Sequence, residues 1–125
     1  MSSLNIEKFF ETVISQNKMK LLTYFRDDAV IKWHCTNEIF SVEEYIKANC
    51  EYPGDWIGKI ERIEKTDNSI ILVCKVLQKN KSTSFHVVSF IRVENDLIVE
   101  MDEYWSDDAL APQWRRKMKI GKPIN

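Results

Sequence analysis

Glycine is scarce in this chain of 125 residues, which contains three. They are too few and too scattered for a phosphate-cradling loop, so no nucleotide cofactor is expected. Cysteine is equally sparse: Cys35, Cys50 and Cys74 form an odd set with no CxxC and no paired spacing. That pattern predicts free thiols in a reducing compartment. The two histidines, His34 and His86, make no HxH or HxxxH spacing, so no metal site is expected. Charge of one sign is missing too. Eighteen basic and nineteen acidic side chains leave a net charge of −1, which gives no footprint for DNA or RNA. No apolar run approaches membrane-spanning length, and the opening MSSLNIEKFF is amphipathic and charged rather than continuously apolar. The expectation is a soluble, cytoplasmic protein with no nucleic-acid partner, no membrane and no cofactor.

What is present is a hydrophobic content of 44%, enough for one globular domain over 1–125 with a real core. Ile6, Phe9, Phe10, Val13 and Ile14 recur at helical spacing and predict a helix from about Leu4 to Ser15, with Ser3 as its N-cap. A second helix over Lys18 to Phe25 would bury Met19, Leu22 and Phe25. AVIKWHC, Ala29 to Cys35, reads as a strand, and Thr36 to Glu38 as a loop. Ser41-Val42-Glu43-Glu44 is a capping box with Phe40 and Tyr45 at the staple positions, so a third helix starts at Val42 and runs to about Cys50. Tyr52-Pro53-Gly54-Asp55 stops it. Trp56 to Lys65 and Ser69 to Gln78 then form a hairpin around Asp67-Asn68. Residues 107–125 are a tail, locally basic and too apolar at Trp114, Met118 and Ile120 for pure disorder; it is expected to drape over a subunit surface.

The longest strands lie in FHVVSFIRVENDLIVEMDEYWS, Phe85 to Ser106, joined by a turn at Asn95-Asp96. A regular ladder from that turn sets Arg92 opposite Val99, Phe90 opposite Met101, Val88 opposite Glu103 and His86 opposite Trp105. Val93, Ile91, Ser89, Val87 and Phe85 then share the other face with Ile98, Glu100, Asp102 and Tyr104. Neither face is plainly polar, so both should meet something. Helices followed by strands mean α+β, with helices covering one face of a mostly antiparallel sheet, curled into a cone whose apolar mouth can hold a ligand.

This element order, the long final hairpin and its ending EYWSDD resemble the nuclear transport factor two-like (cystatin-like) superfamily, which includes SnoaL-like polyketide cyclases and ketosteroid isomerases. WHCTNE, EEYIKANCEYPGDW, FHVVSFI and APQWRRKMKIGKPI look like a small group of bacterial SnoaL-like proteins of undefined activity. The resemblance implies a cone-shaped, curved, mixed or antiparallel sheet wrapped around three N-terminal helices. It supplies no activity, because this fold hosts isomerases, dehydratases, hydrolases and non-enzymatic scaffolds. Ketosteroid isomerases carry a tyrosine on helix one, an aspartate base on the first strand and a protonated aspartate on the penultimate strand. The matching positions here are Phe9, Trp33 and either Val88 or Ser89, so that mechanism is not expected. The same overlay turns Met101, Glu103 and Trp105 towards the cone.

The candidate acid–base groups are Glu103, desolvated inside such a cone, and His86 beside it. The plainer reading of Glu103 is an ion pair with Lys75 or Arg62, and of His86 a member of a hydrogen-bond network. Trp33, Trp56, Phe90, Met101 and Trp105 are the expected ligand-binding walls. Three readings stay open: a cofactor-independent isomerase, lyase or hydrolase of a small hydrophobic molecule, a non-catalytic ligand-binding module, and a structural homodimer with a filled core. Val87, Ile91, Ile98 and Tyr104 are expected at the dimer contact.

Overall fold

The structure, a computed structural model, describes residues 4–125. Helix α1 (Ile6–Ser15) buries Ile6, Phe9 and Phe10 on its apolar stripe. Its cap is Asn5, whose side chain accepts from the Lys8 amide at 3.0 Å; Ser3, the expected cap, lies outside the described residues. Helix α2 (Lys18–Leu22) stops three residues earlier than expected and buries Leu21, while Met19 and Leu22 are 84% and 53% exposed. Its five residues give one inward position, and Phe25 instead opens a strand.

That strand, β1 (Phe25–Trp33), runs into a short 3-10 turn at His34–Thr36. An edge strand that was not expected, β2 (Glu38–Ser41), begins at the last residue of the expected loop and pairs antiparallel with β1 through Ile31 and Phe40. Its exposed, partly polar residues carry no alternation to betray it. Helix α3 (Val42–Cys50) begins at the capping box as expected. The Ser41 amide donates to Glu44 Oε1 at 2.9 Å and the Glu44 amide to Ser41 Oγ at 3.2 Å. Strands β3 (Trp56–Lys65) and β4 (Ser69–Gln78) keep their expected bounds, and β5 (Ser84–Glu94) and β6 (Leu97–Asp107) form the long hairpin. The sheet order is β2-β1-β6-β5-β4-β3, with β1 and β6 parallel and every other neighbouring pair antiparallel. It is a mixed, curved, unclosed sheet.

The turn at Asn95-Asp96 forms as expected, with φ of 50° and 67°. The register beyond it does not follow a regular ladder. Val93 faces Ile98, but Arg92 faces Glu100, so Val99 is an inserted residue and every later pair shifts by one. Ser89 therefore faces Glu103, Val87 faces Trp105, and Phe90 faces Asp102. The physical gain is burial: Ile98, Val99, Ile91 and Val87 are all at most 4% exposed, whereas regular alternation would have turned Ile91 and Val87 outward. Three of the four residues expected at a dimer contact, Val87, Ile91 and Ile98, are thus core residues. His86 and Phe90 move to the outer face of the sheet.

The core fills the concave face under α1 and α3. Gly58 marks the closest approach: a Cβ there would lie 2.5 Å from the Phe10 ring and 2.8 Å from Ile14. In the tail, a short helix α4 (Gln113–Met118) leaves Trp114 and Met118 exposed. No helix among the described residues is long and apolar enough to cross a membrane.

Candidate functional site

The mouth of the cone holds a cavity of about 320 Å³ between the C-terminal ends of α1 and α3 and the ends of β1, β5 and β6. The helix ends are tied together there. Gln16, in the left-handed region that closes α1, donates from Nε2 to the Asn49 carbonyl at 2.9 Å and the Tyr52 carbonyl at 2.7 Å. Asn49 Nδ2 answers with a bond to the Val13 carbonyl at 3.1 Å. Val13, Ile14 and Ala48 give the helical wall its apolar surface.

The sheet wall is aromatic. Trp33 from β1, Trp105 from β6, Phe85 from β5 and Trp56 from β3 line it, with Tyr52 stacked on Trp56 at 5.4 Å. Gly54 permits that stack, because its φ of 132° and the indole 2.9 Å from an added Cβ both exclude a side chain. Trp56 is 8% exposed, and its Nε1 is a buried side-chain polar atom with no partner among the described residues.

Glu103 stands behind this wall rather than in it. It is 6% exposed and does not line the cavity. Trp33 Nε1 and Trp105 Nε1 donate to its Oε1 at 3.0 and 3.2 Å, and Ser89 Oγ donates to Oε2 at 2.5 Å. Burial raises its pKa, and the three donors pull the other way. Neither expected cation reaches it: Arg62 bonds Glu64 at 3.1 Å, and Lys75 pairs across the sheet with His86 on the outer face. Of Val88 and Ser89, it is Ser89 that faces inward.

His86 is not beside Glu103. The inserted Val99 sends it to the outer face, where Nδ1 meets Asp108 and Nε2 meets Glu61 at 3.3 Å. Asp108 first, then Glu61, favours the imidazolium and raises its pKa. Phe90, on the same outer face, is 41% exposed and edge-on to Tyr104. Met101 is fully buried on the cone side of β6 but lies outside the lining set. His34, in the turn after β1, stacks on Tyr104 and bonds Asp102 at 2.7 Å. Among the described residues no group of His, Cys, Asp and Glu side chains could hold a metal ion. Cys74 is buried in the core, its thiol pushed up to about 12 by desolvation, so it is inert.

No family model and no curated protein matches the sequence. Solved structures do match. A candidate ketosteroid isomerase from Kribbella flavida superposes with a TM-score of 0.78 at 20% identity, over 95% of this chain and 87% of that one. An NTF-2 like protein of unknown function from Burkholderia xenovorans gives 0.76 at 18% identity, over 96% and 92%. A ketosteroid isomerase-like fold from Catenulispora acidiphila, in complex with trimethylamine, gives 0.66 at 13% identity, over 84% and 88%.

The fold is nuclear transport factor two-like.

Within this nuclear transport factor two-like cone, the structure brings together Trp33, Trp56, Trp105 and, behind them, Glu103. Tyr52, Phe85, Asp107 and the Gln16–Asn49 tie were missed from the sequence. Phe85 and Asp107 follow from alternation once the register is known, since they face each other and share the Trp105 side. Tyr52 had a signal in YPGDW, where the turn that ends α3 folds the chain back towards Trp56.

Proposed function

We propose that the protein binds a small, largely apolar molecule in the aromatic cavity, with Glu103 holding the two indole walls in place. The observation that carries this reading is the wall itself: a cavity of about 320 Å³ lined by three tryptophans. Small-molecule binding within this fold also has a precedent in the trimethylamine complex. The test is tryptophan fluorescence titrated with a panel of planar apolar compounds. Saturable quenching is expected in the wild type and loss of it in Trp105→Ala; a flat response across the panel sinks the reading.

Catalysis is a second reading, in which Glu103 is the acid–base group of a cofactor-independent isomerase, lyase or hydrolase. What favours it is a buried carboxyl with a raised pKa and no cation on it among the described residues. It requires Trp33 or Trp105 to swing aside, and His86, on the opposite face, takes no part. The three free thiols suit a reducing compartment such as the cytoplasm. A second copy of the chain is proposed against the outer face of the sheet, where Ile71, Val73, Val88, Phe90 and Tyr104 adjoin across β4, β5 and β6.

A further inference from the structure

The sheet side of the cavity is mainly aromatic. Tyr52, Trp56, Phe85, Trp105 and Trp33 follow one another around it with centroid separations of 5.4, 5.8, 6.1 and 6.2 Å. An aromatic ring is negative on its faces and positive at its edge. In Trp33 and Trp105 the most positive part of that edge, the indole N–H, is turned to Glu103, a group outside the lining set. The side chain that carries a formal charge among the described lining residues is Asp107, and it is negative. No lysine, arginine or histidine is among them.

We propose, resting on the ligand-site reading above, that the cavity selects a substituted ammonium cation: a tertiary or quaternary amine carrying apolar groups. A cation within about 6 Å of several ring faces gains from each of them, and more so where water is excluded. Val13, Ile14 and Ala48 offer the hydrocarbon part an apolar wall. An anion would meet Asp107 with the wrong sign. A neutral isostere would keep only the apolar contact.

The experiment compares benzyltrimethylammonium with neopentylbenzene, its neutral carbon isostere, by tryptophan fluorescence and titration calorimetry on the full chain. The cation is expected to bind about tenfold more tightly. Asp107→Asn should weaken the cation about threefold and leave the isostere unchanged. Equal or tighter binding of neopentylbenzene overturns the cation assignment and leaves the ligand site standing. Binding of neither overturns both.

Discussion

Glu103 is a buried carboxylate satisfied by neutral donors, and that decides what its replacement does. Glu103→Gln keeps an oxygen for the two indole N–H groups and offers an amide to Ser89, so the wall should hold its geometry. Glu103→Leu leaves the Trp33, Trp105 and Ser89 donors without a partner, and unmet buried donors cost about 1–3 kcal/mol each. With some rescue from the cavity side, Glu103→Leu should lose roughly 3 kcal/mol against Glu103→Gln in urea denaturation. Equal stability of the two variants would remove Glu103 as the orienting group. The same residue sets a pH dependence. Burial raises its pKa above the ordinary 4.5, so the folded chain holds this proton to higher pH than the unfolded chain does. Stability from this group is then greatest below about 4.5, falls as pH rises through the raised value, and levels off beyond it. Thermal unfolding across that range should show the decline in wild type and its loss in Glu103→Gln.

At the scale of elements, the β5–β6 hairpin controls which residues reach the cone. Its turn depends on Asn95 and Asp96 at φ of 50° and 67°, a region costing roughly 1–2 kcal/mol for a residue that, unlike Asn or Gly, has no tolerance for it. Asn95→Ala should therefore lose about 1 kcal/mol in chemical denaturation and Asn95→Gly nothing comparable. A null effect of alanine would mean the turn does not set the hairpin. This turn was legible because its chemistry is local to two residues, as was the Ser41–Glu44 box that starts α3. The inserted Val99 was not. Nothing in a β-branched residue three places past a turn marks it as extra; its position follows from burying Ile91 and Val87 together with Met101, which is a tertiary matter. One unseen residue was enough to carry His86 and Phe90 to the wrong side. The tryptophan positions survived because Trp33, Trp56 and Trp105 lie on strands whose inward face is the same with or without that shift.

For the molecule as a whole, the inserted residue also redefines where a second copy would dock. With Val87, Ile91 and Ile98 in the core, the apolar part of the outer face is Ile71 beside Phe90, and Val73 beside Val88 beside Tyr104. Val88 is at its centre and half-buried; Phe90 and Tyr104 are 41% and 44% exposed. Charges of both signs frame the patch, through Arg92 near Glu100, so two copies related by a two-fold axis can set unlike charges together. Val88→Glu separates folding from association. In a single chain the new carboxylate points to solvent across the outer face and the cone is untouched. In a dimer it would be desolvated between two apolar faces, a loss of several kcal/mol. Sedimentation equilibrium should therefore give about twice the chain mass for wild type and the single-chain mass for Val88→Glu, with fluorescence titration of the cavity unchanged. A wild type that sediments as one chain ends the dimer reading, and a variant that loses ligand binding as well would tie the cavity to the assembly.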